Sequence, residues 1–195
     1  MSELKIGWAT RDVSTDKPVN IPGQFHMRIS KGILDPVTVT ALLIDDGKDL
    51  VCMMSADLVV IRSMLMDEIR AKTAKLLPGF PVEKIFMSAT HTHAGPSHYS
   101  DSGWEATPGG ISTAMVKDVP TEVEIASGDE YRDFLSTQAA EAVAEAYKKR
   151  APGGIAWGYG FATVGFSRRV TYFDDLSKRP GAVKNSTHAL SGHSA

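Results

Sequence analysis

The sequence predicts an α/β fold, a mixed β-sheet flanked by helices and incomplete at its C-terminus, and three observations carry that prediction. Two runs rich in β-branched and apolar residues, Val37 to Ile44 and Leu50 to Ser55, are joined by an acidic Asp46-Gly47 turn, the pattern of a β-hairpin. Ile61, Met64, Leu65, Ile69 and Leu76 then recur at helical spacing with Asp67, Glu68, Arg70 and Lys72 between them. After that helix comes Ile85 to Ala89, an apolar run of strand length. Strands separated by helices indicate an α/β layer architecture, and the hairpin makes the sheet mixed rather than purely parallel.

The remaining elements follow in order. Pro78-Gly79 closes the first helix. The strand at Ile85 feeds into "THTHAGPSHY", which puts three histidines within eight positions. From Gly95 to Pro120 the chain is polar and without a period, and a stretch of that length in a compact domain is more often a functional loop than a simple connection. Tyr131, Phe134, Leu135, Ala139, Ala142, Val143 and Ala146 mark a second helix, closed by the basic and Pro/Gly residues of "KKRAPGG". Two last strands are expected at Ile155 to Thr163 and Val170 to Phe173, on either side of Arg168-Arg169. Residues 1–175 read as one domain portion, and 176–195, polar and rich in Gly, Ser and Lys, as loop or disordered tail.

Composition excludes several classes of function. With 195 residues, 43% apolar and 23% charged, the chain is long enough for one sizeable core. A net charge of -2 with both signs interspersed gives no field for nucleic acid or an anionic membrane surface. No apolar run approaches the ~20 residues of a membrane span, and "MSELKIGWAT" lacks the basic and apolar regions of a secretory signal, which makes the cytoplasm the default compartment. The single cysteine, Cys52, can make no internal disulfide and reads as a small buried hydrophobe.

The histidines carry the chemistry. Imidazole is the commonest protein metal ligand, and residues two apart on an extended segment share a face, so His91 and His93 can converge on one point. A strand end is where an α/β fold places its site. Small residues before the pair, the Gly95-Pro96 turn after it and His98 five positions beyond His93 favour a metal site over surface-loop histidines. Asp57, just after a strand, is a candidate carboxylate for orienting a histidine, and equally a helix-initiating or surface residue. His26 has no patterned partner, and His188 and His193 read as tail histidines.

"SATHTHAGPSHY" resembles the "ATHTHSGP" signature of the neutral/alkaline, non-lysosomal ceramidase family, with Ala94 where serine is usual. "IGWATRDVS", "SADLVVI" and "VGFSRRV" are similar in order and spacing to further motifs of that family, so the resemblance covers most of residues 4–173. It implies a zinc-dependent amidohydrolase that cleaves the N-acyl amide of ceramide, with a lipid-like amide as the substrate, in a family whose members are often secreted. By the same resemblance His91 matches a zinc ligand, His93 a second active-site histidine that hydrogen-bonds there, and Arg168 a basic active-site residue. Zinc would activate water and polarise the carbonyl, and a guanidinium would stabilise the oxyanion or a polar head group. Ser167 stands where the family has asparagine. The family's remaining ligands, a second histidine, a glutamate and a tyrosine, come from later in a longer chain, so this chain is expected to be an N-terminal part that binds zinc weakly and is inactive alone. Another His-x-His metallohydrolase, or a noncatalytic binding domain, are the alternatives.

Overall fold

The computed structural model describes residues 3–23, 28–99, 124–162 and 164. The chain divides into a unit of residues 1–155, which holds the sheet, and a unit of residues 156–195. In the first unit the elements run β1 (Lys5–Asp12), β2 (Thr38–Asp45), β3 (Leu50–Ala56), α1 (Ser63–Leu76), β4 (Ile85–Ala89), α2 (Gly128–Lys148) and β5 (Ala151–Pro152). The five strands form one sheet in the order β4-β3-β2-β1-β5. β3 and β4 are parallel and every other pair is antiparallel, so the sheet is mixed and the class is α/β as expected. A parallel pair needs a crossover, and α1 supplies it between β3 and β4.

Alternation assigns the two faces. Gly7 and Ala9 of β1, Val39, Ala41 and Leu43 of β2, Cys52, Met54 and Ala56 of β3, and Ile85 of β4 are buried in a single core with Leu65 and Ile69 of α1 and Leu135, Ala139, Ala142, Val143 and Ala146 of α2. Both helices therefore pack on one face. The approach is close at Gly7, where a Cβ would lie 2.1 Å from the Ala146 carbonyl oxygen, so any side chain there would push α2 off β1. Ion pairs join the two helices, Arg132 to Glu68 at 2.6 Å and Lys72 to Asp133 at 2.7 Å. On the opposite face Trp8, Leu42, Met53 and Phe86 are paired neighbours across four strands. Trp8, Met53 and Phe86 of that row are exposed. Cys52 is in the core, where burial pushes its thiol up to about 12, so it behaves as the inert hydrophobe expected.

Three expectations change. β1 is a full strand that the sequence pattern did not reveal. The second helix begins earlier than its apolar periodicity, at Gly128, because Ser127 caps it by accepting the Glu130 N–H at 3.1 Å with Asp129 and Glu130 in the first turn. The strand expected at Ile155 to Thr163 does not form over 155–162: pairing stops at Pro152, and Trp157, Tyr159 and Phe161 are exposed, with glycines between them that add no side-chain contact. Val170 to Phe173 and the tail 176–195 lie outside the described residues.

Candidate functional site

Because β3 and β4 are adjacent and parallel, the segments leaving their C-terminal ends emerge side by side. Thr90 N–H donates to the Ala56 carbonyl at 2.9 Å, and Asp57 N–H to the Thr38 carbonyl at 2.9 Å. The Asp57 carboxylate accepts from Thr38 N–H and Thr38 Oγ1, both at 2.9 Å, and from Thr90 Oγ1 at 3.2 Å. One carboxylate thus binds the ends of β2, β3 and β4 together. Its hydrogen bonds go to residues that frame the histidine turn, and it fixes the backbone from which His91 departs rather than an imidazole.

His91 then turns out of the strand direction with φ 62, the left-handed region that costs a residue with a Cβ roughly 1–2 kcal/mol. Convergence with His93 is achieved by this turn and not by the extended segment that the two-residue spacing suggested. His91 Nδ1 is 2.6 Å from the Val59 carbonyl oxygen, an acceptor only, so Nδ1 carries the proton and Nε2 keeps its lone pair. His93 Nε2 lies 3.4 Å from His91 Nε2, with the ring centroids 5.0 Å apart and the planes at 76°. That separation is within reach of a hydrogen bond between the rings, and it also equals the roughly 3.3–3.4 Å between two nitrogens bound at about 2.0–2.1 Å to one tetrahedral cation. Both histidines are exposed, and the Arg28 guanidinium donates to the His93 carbonyl at 2.5 Å.

His98 takes a different place. It is fully buried, and its Nε2 accepts the backbone N–H of Arg62, the residue that precedes α1, at 3.3 Å. Burial first, and then the Arg132 and Arg62 charges, lower its pKa to about 4, so the ring is neutral. Its Nδ1 has no hydrogen-bond partner among the described residues. The Gly95-Pro96-Ser97-His98 stretch, expected to open a polar loop, is buried.

Among the described residues no group of three or more His, Cys, Asp or Glu side chains could hold a metal, so His98 and Asp57 do not join His91 and His93. His26, Arg168, Arg169, His188 and His193 lie outside the described residues. The groups that sequence reasoning missed are the Val59 carbonyl, Thr38, Thr90 and Arg28. A backbone oxygen leaves no mark in a sequence, and the others carry ordinary strand or loop residue types. Among the described residues no helix is long and apolar enough to cross a membrane.

No protein-family model and no curated protein matches the chain. Solved structures do. The neutral ceramidase from Pseudomonas aeruginosa superposes with a TM-score of 0.59 and 17% identity over 78% of this chain and 23% of its own. A structure described as ceramidase complexed with C2 gives 0.60 and 18% over 78% of this chain and 22% of its own. The chain therefore has a ceramidase-like fold and spans less than a quarter of the length of these two proteins.

Proposed function

We propose that this chain contributes the histidine pair of a zinc-dependent, ceramidase-like amidohydrolase that cleaves the N-acyl amide of a sphingolipid. The observation that carries the reading is the tautomer and spacing of the pair: His91 Nδ1 donates to the Val59 carbonyl, so His91 Nε2 is the acceptor nitrogen that faces His93 Nε2 at 3.4 Å. It stands at the sheet edge of a fold shared with two ceramidase structures. His91 would hold the metal through Nε2. His93 would either share it or, as the resemblance implies, hydrogen-bond in the active site, and its Nε2 fits both roles. Zinc bound there would polarise the amide carbonyl and bring the pKa of a bound water towards about 7. Arg168 would stabilise the developing oxyanion or anchor the polar head group, since a guanidinium stays charged at any working pH.

Catalytic zinc takes three protein ligands as a rule, and the described residues offer two, so the 195-residue chain is expected to bind zinc weakly and to show no steady turnover. Cobalt and zinc titrations of the chain, its His91→Ala and its His93→Ala forms test the metal. Binding that both substitutions leave unchanged would overturn the reading. Fluorescent ceramide tests the substrate: zinc-dependent binding that His91→Ala removes supports it, whereas equal binding with and without zinc indicates a noncatalytic lipid site.

A further inference from the structure

The segment Asn20 to Gly23 is fastened to the histidine turn at several points. Ser97 N–H donates to the Asn20 carbonyl at 2.9 Å, and Ile21 N–H to the Arg28 carbonyl at 2.8 Å. One Arg28 guanidinium nitrogen, Nη2, donates both to the Pro22 carbonyl at 3.1 Å and to the His93 carbonyl at 2.5 Å. Gly23 itself has φ +103, and a Cβ built on it would lie 2.5, 2.6 and 2.8 Å from Cγ, Nδ1 and Cδ2 of the His93 ring. These separations are far inside carbon–carbon contact, normally about 3.5–4.0 Å, so the imidazole rests on the bare glycine Cα.

We propose that Gly23 and Arg28 are positioning residues for His93, forming a latch that holds its imidazole against His91. The geometry requires both parts. The turn carrying His93 begins at the end of β4, so its backbone is anchored on one side, and Arg28 anchors it on the other by tying its carbonyl to that of Pro22. With the backbone held, ring orientation decides whether Nε2 faces His91 Nε2 at 3.4 Å. Gly23 lies against Cγ, Nδ1 and Cδ2 of the ring, and its lack of a Cβ leaves the imidazole the room it occupies. A side chain at residue 23 would occupy the volume the ring now uses. Supports of this kind, one shell out from a ligand, commonly change metal affinity 10–100-fold when altered.

The test uses the full 195-residue chain and two readouts, the nuclear Overhauser contact between the His91 and His93 rings and a cobalt titration. The cobalt readout rests on the metal-binding reading above, and the ring contact does not. Gly23→Ala is expected to abolish the ring contact and to weaken cobalt binding at least tenfold. Gly79→Ala is the control: Gly79 also has positive φ, +85, but nothing lies within 4 Å of its would-be Cβ, so the same backbone strain should leave both readouts unchanged. A Gly23→Ala protein that keeps the ring contact overturns the latch. Should that protein fail to fold, Arg28→Gln adds no atom beside the ring, and a ring contact that persists in it overturns the proposal equally. Loss of the contact in Gly23→Ala, in a chain that binds no cobalt even unmodified, would sink the metal reading and leave the latch standing.

Discussion

His93 and His98 are five residues apart and share one turn-rich segment, yet the protein uses them in opposite ways. His98 is fully buried, neutral and bonded to the N–H that precedes α1, so it joins the histidine segment to the helix behind it. His91 and His93 are exposed, aimed at each other, and reached through a backbone conformation that His91 does not favour. The first arrangement gives one buried nitrogen a partner and leaves the ring uncharged, with Nδ1 unpartnered among the described residues. The second resembles a site more than a support, because strain and exposed lone pairs are held in place by surrounding hydrogen bonds. Side-chain type is the same in both regions, and the difference comes from what the neighbouring strand and helix ends offer each ring.

The largest expected effect follows from that division. His98→Ala removes a fully buried ring and the acceptor of the Arg62 N–H, and should cost about 3 kcal/mol in urea unfolding. His91→Ala and His93→Ala should stay within roughly 1 kcal/mol of the parent protein, being exposed. If all three cost the same, the two regions are not distinct in the way described.

Acid should separate them next. The folded-state pKa of His98 is lowered to about 4, chiefly by burial and then by the Arg132 and Arg62 charges, with Glu68 opposing. Its unfolded value is about 6.5. Between these values the unfolded chain binds more protons, so stability rises with pH: it is full above about 6.5, falls as pH drops through the window, and levels off near 4. The loss is on the order of 3 kcal/mol. Unfolding midpoints measured from pH 7.5 to 4 should show a step that His98→Gln lacks, since glutamine can accept the same N–H and does not titrate. A step of equal size in His98→Gln would assign it to other groups.

How much of this was legible in the sequence depends on which atoms carried the information. β2, β3, α1, β4 and α2 announce themselves because their inward side chains are large and periodic, from Val39, Ala41 and Leu43 to Leu65 and Ile69. β1 is silent for a physical reason: its buried positions are Gly7 and Ala9, small because α2 passes close, while its large residue Trp8 faces outward. Conversely, Trp157, Tyr159 and Phe161 alternate as a strand would, and no strand forms there. In the site, the meeting of His91 and His93 was legible, and its cause was not, because a left-handed φ at a histidine has no residue signature. The separate place of His98 was not legible either, since the Arg62 N–H that claims it is backbone.

Asp57 ties the sheet to the histidine turn, and its removal should register in both. Asp57→Ala leaves Thr38 N–H and the Thr38 and Thr90 hydroxyls without their acceptor, a loss of about 2 kcal/mol. Because Thr90 precedes His91, the His91 ring resonances should shift as well, whereas those of His98 should stay put. Unchanged His91 resonances would mean the carboxylate supports the sheet alone.

The smallest expected effect addresses the strain at His91 directly. His91→Ala and His91→Gly both delete the imidazole and its bond to the Val59 carbonyl, so their difference reports the backbone. At φ 62 alanine keeps the Cβ clash of about 1–2 kcal/mol, whereas glycine avoids it but loses more chain entropy on folding, about 0.4–1 kcal/mol. Glycine should therefore be the more stable of the two by roughly 0.5–1 kcal/mol. Both should lose cobalt binding equally, because neither offers a nitrogen, so stability and metal affinity part company at one position. That separation is what a residue kept for its lone pair at the expense of its backbone would show. Alanine as stable as glycine would mean that the turn relaxes once the ring is gone, and that the imidazole, held by Val59, imposes the left-handed conformation on the chain.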